Sequence, residues 1–273
     1  MSESPDLESI RQRNRGAWDR LVAKQDGFTR PAEDEACRDN LRTVDPLGWL
    51  GGDIRGKRVL CLAAGGGRQG PIYASAGGIV TVVDISPAML ELDRQVARER
   101  GLELRTVEAS MDDLSVFSSA EFDLVIHPVS TCYLPDIHAV YRAVARVLTD
   151  GGIYVSQHKT PTSLQTSQQP LQGNYTLEQP YYRTGPLPEV KGSRLREEGC
   201  WEFLHRWEEL IGGLCRAGFV IEDLVEPVHA KPDAEVGSFA DRARYVAPYV
   251  RIKARRRGAG NQAAARPAIW MPG

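Results

Sequence analysis

The sequence lacks the features of a disulfide-stabilised protein, a zinc protein or a membrane protein. Its five cysteines are scattered over 273 residues, without CxxC or Cys/His ligand spacing. This pattern indicates reduced thiols rather than a disulfide framework or a metal site. No apolar stretch reaches the roughly 20 residues that a membrane span requires. The polar N-terminus has no signal-peptide core, so we expect a cytoplasmic protein.

An excess of charge of either sign is also missing. Lys and Arg total 34, Asp and Glu total 36, and the formal net charge is -2 at pH 7. A near-neutral chain offers no general attraction to nucleic acid or anionic lipid. The basic run Lys253–Arg257 is typical of a solvated strand end or tail. The charge pattern therefore argues against nucleic acid as a partner.

The sequence alternates short apolar runs with segments whose apolar residues recur at helical spacing. The length and the 42% apolar content suit one α/β domain with additions at its ends or in its loops. Strands that alternate with helices indicate a doubly wound, mostly parallel sheet. The predicted strands are Arg58–Leu62, Val80–Val83, Leu104–Val107, Phe122–Ile126 and Gly152–Ser156.

Helices are predicted around and beyond these strands. Ser86 is a suitable N-cap and Pro87 a suitable first residue for the clearest of them. Two further strands, Phe219–Val225 and Tyr245–Ala254, would form a terminal antiparallel hairpin. The predicted helices are Ser9–Lys24, Pro87–Arg100, Ile137–Leu148 and Trp201–Ala217.

A glycine cluster follows the first predicted strand. The run Val59–Gly70 (VLCLAAGGGRQG) leads from a strand into glycines and then a helix. Glycine has no Cβ and tolerates positive φ, so such a loop lets a ligand approach the backbone. Asp84 ends the next strand about 20 residues later, where a carboxylate accepts hydrogen bonds from ribose hydroxyls. The alternative is an acid that only favours the following helix dipole.

Two kinds of nucleoside cofactor fit these residues. Gly65-x-Gly67-x-x-Gly70 has the form of the dinucleotide fingerprint, which would indicate NAD(P) or FAD and hydride transfer. An adenosyl cofactor without phosphates is the competing interpretation.

Four segments in order resemble class I S-adenosylmethionine-dependent methyltransferases of the ubiquinone/menaquinone-biosynthesis-like small-molecule branch. They are Val59–Gly67, Val82–Leu90, Phe122–Ile126 and Leu148–Gly152. The helix Asn14–Val22 and the segment Phe203–Phe219 also resemble parts of that family. The resemblance implies a Rossmann-like fold with seven strands, S-adenosylmethionine as cofactor, and methyl transfer to a small molecule.

The resemblance also implies roles for individual residues. Asp84 would hold the ribose diol, Ile85 would pack on the adenine, and His127 would lie near the transferred methyl group. The implied cofactor-binding residues are Ala63, Ala64, Gly65, Gly67, Asp84, Ile85, Met89, Ser110, Met111 and His127. The sequence departs from the family pattern at Cys61, Ala63 and Ser110, so a non-catalytic protein that binds the cofactor is an alternative.

Methyl transfer requires alignment first, because positioning can contribute roughly 7–11 kcal/mol. A hydroxyl acceptor would also benefit from a base, typically by about 10²–10⁴-fold. His127, Tyr133 and His158 lie at or just after the ends of central strands, the ligand-binding edge of such sheets, and are the candidate catalytic residues. His205 and Trp207 are predicted to be structural residues of a helix.

The domain is predicted to span residues 1–257, with a tail at 258–273. Residues 1–50 would form an N-terminal cap, 55–157 the cofactor-binding core, and 160–200 an insertion that covers the pocket. Within this cover, Trp18 would help to exclude water, and Tyr181 and Tyr182 would either line the pocket or lie exposed.

Other functions stay open at this point. The loop after the fourth strand has His127-Pro128-Val129-Ser130 instead of the (Asn/Asp)-Pro-Pro-(Tyr/Phe) motif of nucleobase amine methyltransferases. A methyltransferase acting on protein or tRNA would need a charged docking surface, which the sequence does not indicate. A dinucleotide oxidoreductase is the remaining alternative, and the oligomeric state is not encoded in any pattern.

Overall fold

The predicted strands pair into a single sheet in the computed structural model, which describes residues 5–38 and 40–258. The strand order is β3-β2-β1-β4-β5-β7-β6. The first five strands run parallel, and β7 lies antiparallel between β5 and β6. This confirms the doubly wound sheet with a terminal hairpin. The strands are β1 (Arg58–Leu62), β2 (Ile79–Asp84), β3 (Arg105–Glu108), β4 (Phe122–His127), β5 (Leu148–Lys159), β6 (Phe219–Val225) and β7 (Tyr249–Arg256).

Helices flank the sheet, and their ends follow the capping residues of the sequence. Asp6 accepts a hydrogen bond from the backbone N–H of Ser9 at the start of the first helix. Ser86 does the same for Met89, and Gly101 ends that helix with a φ of 62°. Within the described residues the α-helices are α1 (Leu7–Ala23), α2 (Asp34–Arg38), α3 (Asn40–Val44), α4 (Gln69–Ser75), α5 (Pro87–Arg100), α6 (Ile137–Val147), α7 (Pro161–Gln165), α8 (Gly213–Arg216) and α9 (Phe239–Arg242).

Each face of the sheet has its own apolar core. Side chains alternate along β1, so Leu60 and Leu62 join the cluster that includes α6. Val59 and Cys61 point to the opposite face and join the cluster that includes α4. Because both faces are covered, β1 is an almost continuous apolar run. The parallel strands end at one common edge, which places the loops after β1, β2 and β4 side by side.

Several predicted elements differ from the structure in their bounds. The fifth strand was predicted over Gly152–Ser156, but β5 spans Leu148–Lys159. Residues 201–206 are irregular, and helical structure begins only at Trp207, with a π-helix over Glu208–Gly212 before α8. The helix prediction for Trp201–Ala217 is therefore wrong in its first part. The backbone there pairs with other segments, since Phe203 donates to the carbonyl of Cys132 at 2.7 Å. The last strand starts at Tyr249, four residues later than predicted, because α9 and a turn occupy the residues before it.

After β5 the chain forms α7 and then a long irregular segment. Isolated antiparallel β-bridges connect parts of this segment, between Thr166 and Leu177 and between Leu171 and Asn174. The buried guanidinium of Arg242 donates hydrogen bonds to the carbonyl of Ser163 in α7 and to those of Thr166 and Ser167 at the start of this segment. The segment is thereby fixed against the body of the protein. The predicted tail lies outside the described residues apart from its first position, Gly258.

Candidate active site

A cavity of about 410 Å³ opens at the carboxyl edge of the sheet. It extends from the loops after β1 and β2 to the ends of β5 and β7, and it is covered by α1 and by residues 27–30. Its two sides, called here the glycine end and the glutamate end, differ in composition. The glycine end comprises Ala63, Ala64, Gly65, Gly66, Asp84, Ile85, Met89, Ser110 and Met111. The glutamate end comprises Tyr133, Gln157, Glu197, Tyr249 and Arg251.

The loop after β1 packs tightly on its neighbours and presents bare backbone to the cavity. The N–H of Gly65 donates to Asp84 Oδ2 at 2.9 Å, and the N–H of Gly66 donates to Asp93 Oδ2 at 2.9 Å. A Cβ on Gly65 would lie 2.7 Å from the Cβ of Met89, closer than real side chains approach. Glycine is therefore required at position 65 for the loop to lie this close to α5.

Ala63 adopts a backbone conformation that favours glycine. Its φ is 46°, in the left-handed region, where a residue with a Cβ pays roughly 1–2 kcal/mol. This is the position at which the sequence departs from the first glycine of the family pattern. The alanine keeps the glycine conformation, so the loop retains its path despite the substitution.

Asp84 is a buried carboxylate with open acceptor capacity. It ends β2, and each of its oxygens accepts one backbone hydrogen bond at 2.9 Å, from Gly65 and from Ser86. A carboxylate has about four acceptor sites, so both oxygens can still accept from a ligand. Burial raises the pKa of Asp84 to about 6, and the charge of Asp19 contributes to the same shift. The carboxyl group is therefore mostly ionised above pH 7.

Asp93 supports the same loop from below and was not predicted as a site residue. It is completely buried in α5, and its Oδ1 has no hydrogen-bond partner within the described residues. Burial raises the pKa of Asp93 to about 7. Its contact with Gly66 shows a positioning role for this carboxyl group beneath the cavity floor.

The glutamate end rests on a cluster of buried charges. Lys159 ends β5, and its Nζ lies 2.8 Å from Glu197 Oε2. The same Nζ contacts Glu202, which also pairs with Arg196. All four side chains are less than one-tenth exposed, and two charges of each sign balance. Buried charges are retained at such a site only when they are paired in this way.

The two carboxylates of this cluster differ in their surroundings. Burial raises the pKa of Glu197, and the positive charge of Lys159 opposes this shift. Burial acts on Glu202 too, but Lys159 and Arg196 together hold its pKa below the ordinary value. Glu197 borders the cavity, whereas Glu202 is fully buried behind it. Of the two carboxylates, Glu197 is therefore the one that borders the cavity.

Tyr133 borders the cavity beside Glu197. Its hydroxyl lies close enough to the Glu197 carboxylate to lower the pKa of that group as a hydrogen-bond donor. Burial raises the pKa of Tyr133 well above its ordinary value, so the hydroxyl stays a neutral donor. Trp18 meets its ring edge-on at 5.8 Å, and Asn14 Nδ2 donates to its carbonyl at 2.9 Å.

The cavity brings together most of the predicted cofactor residues, with two exceptions. Gly67 lies behind the loop, where a Cβ would stand 3.0 Å from the carbonyl oxygen of Leu92, so it serves helix packing. His127 borders a neighbouring cavity of about 290 Å³ instead. The residues that line the main cavity are Ala63, Ala64, Gly65, Asp84, Ile85, Met89, Ser110 and Met111.

The two predicted catalytic histidines are held in hydrogen bonds inside the protein. Both ring nitrogens of His127 are bonded, to Tyr154 and Ser130, and burial lowers its pKa to about 3. Both ring nitrogens of His158 are bonded as well, and burial lowers its pKa well below the ordinary value. Neither ring therefore offers a free nitrogen to the cavity. Of the three predicted catalytic residues, only Tyr133 borders it.

The cover of the cavity also differs in detail from the expectation. Trp18 borders it as expected, but Tyr181 and Tyr182 do not, and Tyr182 is 74% exposed. Within residues 160–200, which the structure describes in full, Glu197 alone borders the cavity. His205 lies outside any helix, where its Nε2 is 3.0 Å from the carbonyl of Thr131.

Several lining residues were missed because no local pattern marks them. Glu197 sits in a charged stretch that resembles a solvated loop, and the lining arginines follow no motif. These residues are Arg11, Arg30, Arg68, Gln157, Glu197, Tyr249 and Arg251. Over the described ranges, no group of three His, Cys, Asp or Glu side chains is placed to hold a metal ion. None of the helices in these ranges has the length and hydropathy of a membrane span.

A sheet of this order, with a bare glycine loop after β1 and an acid closing β2, defines the class I S-adenosylmethionine-dependent methyltransferases. A methyltransferase domain family matches residues 60–156 of the chain. The uncharacterised methyltransferase YbaJ of Bacillus subtilis (strain 168) is 34% identical over 237 residues, covering 81% of this chain and 91% of that protein. The chain therefore belongs to the S-adenosylmethionine-dependent methyltransferase family, and S-adenosylmethionine is its cofactor.

Two further comparisons bear on fold and branch. An S-adenosylmethionine-dependent methyltransferase from Mesorhizobium loti superposes with a TM-score of 0.63 at 21% identity, covering 81% of this chain and all of the other. The ubiquinone biosynthesis O-methyltransferase of Bordetella avium (strain 197N) is 29% identical, but over only 41% of this chain and 48% of its own length. The fold is thus shared, whereas the likeness to the ubiquinone branch is confined to less than half of the chain.

Proposed function

We propose that this methyltransferase transfers the methyl group of S-adenosylmethionine to a small molecule bound at the glutamate end. The supporting observation is the buried Asp84, which faces the cavity beside bare glycine backbone with spare acceptor capacity on both oxygens. A ribose diol donates two hydrogen bonds and matches such a carboxylate. The covered cavity of about 410 Å³ and the near-neutral charge favour a small acceptor over a macromolecule.

The remaining contacts follow from the chemistry of each lining residue. The backbone at Ala63, Gly65 and Gly66 would hold the methionine end of the cofactor, where no side chain obstructs it. Ile85, Met89 and Met111 would pack on the adenine, since thioethers and branched chains suit aromatic faces. Ser110 donates its proton to Asp112, which leaves its oxygen free to accept from the adenine amine.

S-adenosylmethionine, when bound, supplies a methyl group already activated on a sulfonium. The protein then has to align the acceptor with this methyl group and keep water out. Helix α1 and residues 27–30 close one side of the cavity, while Glu197 brings the 160–200 segment to the other. We propose the predicted division into an N-terminal cap, a cofactor-binding core and a covering insertion on this basis.

An O-methyltransferase of the ubiquinone type is the finer assignment that we propose within the family. It rests on the partial similarity to the ubiquinone biosynthesis O-methyltransferase and on the polar glutamate end, which suits an ionisable acceptor. His127 stays a proposed neighbour of the transfer site. Its ring forms a hydrogen bond of 2.7 Å with Ser130, and Ser130 lines the cavity.

Calorimetric titration with S-adenosylhomocysteine tests the proposal. Asp84→Asn should weaken binding by tenfold or more, because hydrogen bonds to a charged group contribute roughly 1.5–3 kcal/mol. The matched control is Asp53→Asn, an exposed acid that pairs with Arg55 away from the cavity, and it should bind like the wild type. Equal affinity in Asp84→Asn would refute the ribose assignment. Binding of NADH in place of S-adenosylhomocysteine would favour an oxidoreductase.

A further inference from the structure

A second cavity, of about 290 Å³, adjoins the main cavity at the carboxyl edge of the sheet. It lies between α3, α4 and the ends of β4 and β5. Five residues line both cavities, and we call them the junction. They are Arg68, Gln69, Pro128, Gln157 and Arg251. A molecule held at the junction can therefore extend into either cavity.

The junction presents hydrogen-bond donors and positive charge. Arg251 is half-buried, and its Nε donates to Gln157 Oε1 at 2.6 Å. This bond occupies the amide oxygen of Gln157, so the amide faces a ligand with its two N–H donors. The terminal nitrogens of Arg251 have no partner recorded within the described residues, and they are not sealed from solvent. An oxyanion is the ligand group that accepts from several such donors and meets their charge.

Acidic side chains of the protein do not neutralise this charge. Neither Arg68 nor Arg251 forms an ion pair in the part of the chain that the structure describes. Asp45 lines the second cavity, but its carboxylate accepts two backbone hydrogen bonds instead. Glu197 in the main cavity is already paired with Lys159. The positive charge of the junction is therefore available to a ligand.

Beyond the junction, most surfaces of the second cavity are apolar. The indole N–H of Trp49 donates to Asp223 at 2.9 Å, and the hydroxyl of Tyr73 donates to the carbonyl of Val44 at 3.2 Å. Both rings thus offer the cavity their apolar surfaces, because their polar atoms are bonded inside the protein. The other apolar lining residues are Ala36, Val44, Pro46, Leu47, Leu50, Ile72, Ile126 and Val155. Such a lining favours an apolar or aromatic body in the ligand.

We propose that the methyl acceptor is a carboxylic acid with an apolar body, whose carboxylate binds Arg251 at the junction and whose body fills the second cavity. This proposal rests on the proposed function above and names its substrate class. A guanidinium holds a carboxylate through two parallel hydrogen bonds, so Arg251 would also orient the acceptor. Gln157 and Arg251 belong to the glutamate end, so the bound acid stays next to the proposed transfer site.

Calorimetric titration with 3-phenylpropionate tests the site on protein saturated with S-adenosylhomocysteine, which keeps the glycine end occupied. The neutral 3-phenylpropionamide has the same body and should bind at least tenfold more weakly. Acetate has the charge but no body and should also bind at least tenfold more weakly. Equal binding of the amide would overturn the anion site, and equal binding of acetate would overturn the apolar site. Tighter binding of 2-phenylethyl phosphate would overturn the carboxylate class.

A pair of arginine variants tests the junction itself. Arg251→Met should weaken binding of 3-phenylpropionate by about tenfold or more and leave that of 3-phenylpropionamide unchanged. The variant loses one hydrogen bond, to Gln157, so its thermal stability should stay close to that of the wild type. The matched control is Arg255→Met on the same strand, where Arg255 pairs with Glu222 and borders neither cavity. Wild-type affinity for 3-phenylpropionate in Arg251→Met would overturn the proposal.

Fluorine NMR of protein labelled with 5-fluorotryptophan locates the bound acid. Trp49 lines the second cavity, whereas Trp18 lines the main one. Addition of 3-phenylpropionate should shift the resonance of Trp49, which is assigned by its loss in Trp49→Phe, more than that of Trp18. A larger shift at Trp18 would overturn the placement of the body in the second cavity.

Affinity for S-adenosylhomocysteine separates this proposal from the one on which it rests. Arg251→Met should bind S-adenosylhomocysteine like the wild type, because Arg251 lies at the other end of the main cavity from Asp84. If the wild type binds S-adenosylhomocysteine but binds 3-phenylpropionate no better than its amide, the substrate class is overturned while the proposed function stands. If the wild type does not bind S-adenosylhomocysteine, the proposed function fails, and titration of the free protein still decides whether the junction binds a carboxylate.

Discussion

The two ends of the cavity are built in different ways. The glycine end consists of backbone from one short loop and of a carboxylate 19 positions further along the chain, both fixed by parallel strands. The glutamate end is a set of charged side chains, with Lys159 paired to residues 38 and 43 positions away. The first end needs little side-chain chemistry, whereas the second depends on complete pairing of buried charges. Disruption should therefore destabilise the protein far more at the glutamate end.

Removing the central cation of the glutamate end should have the largest effect. Lys159→Met leaves Glu197 without the one cation that pairs with it among the described residues, and breaking a buried pair costs about 3–5 kcal/mol. The free energy of unfolding from urea titration measures the loss. Lys253→Met on β7 is the control, because Glu222 keeps Arg255 as a partner there, and it should cost about 1 kcal/mol or less. Equal losses of unfolding free energy in the two variants would contradict the claim that the glutamate end depends on its buried charge pairs.

The next effect concerns how the glutamate end is held to α1. The buried amide of Asn14 donates to the carbonyls of Tyr133 and Trp201 and accepts from the N–H of Trp201. Asn14→Ala would leave these backbone groups unpaired, at a cost of about 1–3 kcal/mol. Thermal denaturation should show this loss, while Gln12→Ala on the exposed side of α1 should stay within about 0.5 kcal/mol of the wild type. If Asn14→Ala leaves the stability unchanged, the hydrogen bonds of Asn14 do not hold α1 to the glutamate end.

At the glycine end, pH should change the affinity for the cofactor. Ribose hydroxyls donate to the ionised form of Asp84, whose pKa is raised to about 6 by burial. Only the ionised fraction binds well, so affinity for S-adenosylhomocysteine should be full above pH 7 and about tenfold lower one pH unit below that pKa. Calorimetry across this range measures the change. Asp84→Asn should bind weakly at every pH, and a pH dependence that survives in it would point to another group, such as Asp93.

The smallest expected effect is a gain in the free energy of unfolding. Ala63→Gly relieves a left-handed alanine and should stabilise the protein by up to about 1 kcal/mol, the strain relief less the entropy of the added glycine. Ala64→Gly is the matched control, since Ala64 has no positive φ and should lose about 0.5–1 kcal/mol. A gain of stability in Ala63→Gly and a loss in Ala64→Gly would support the view that backbone conformation determines the structure of the glycine end. A loss of stability in both variants would contradict this view.

The same contrast explains what could be predicted from the sequence. The strands, the glycine loop and Asp84 are encoded in contiguous patterns, and the helix Pro87–Arg100 was predicted to the residue. Glu197 was missed because its position depends on Lys159, and no local spacing signals a pair so far apart in the chain. His158 was misleading for the opposite reason. Its place after a central strand suggested access to the cavity, but neighbouring hydroxyls occupy both of its nitrogens.

The central claim is that Asp84 receives the ribose while the acceptor side lies at the glutamate end. A crystal structure of the protein with bound S-adenosylhomocysteine tests it most directly. We expect both ribose hydroxyls within hydrogen-bond distance of the Asp84 carboxylate, with the sulfur directed toward the glutamate end. A ligand whose ribose contacts other groups, or whose sulfur points away from the glutamate end, would contradict the account.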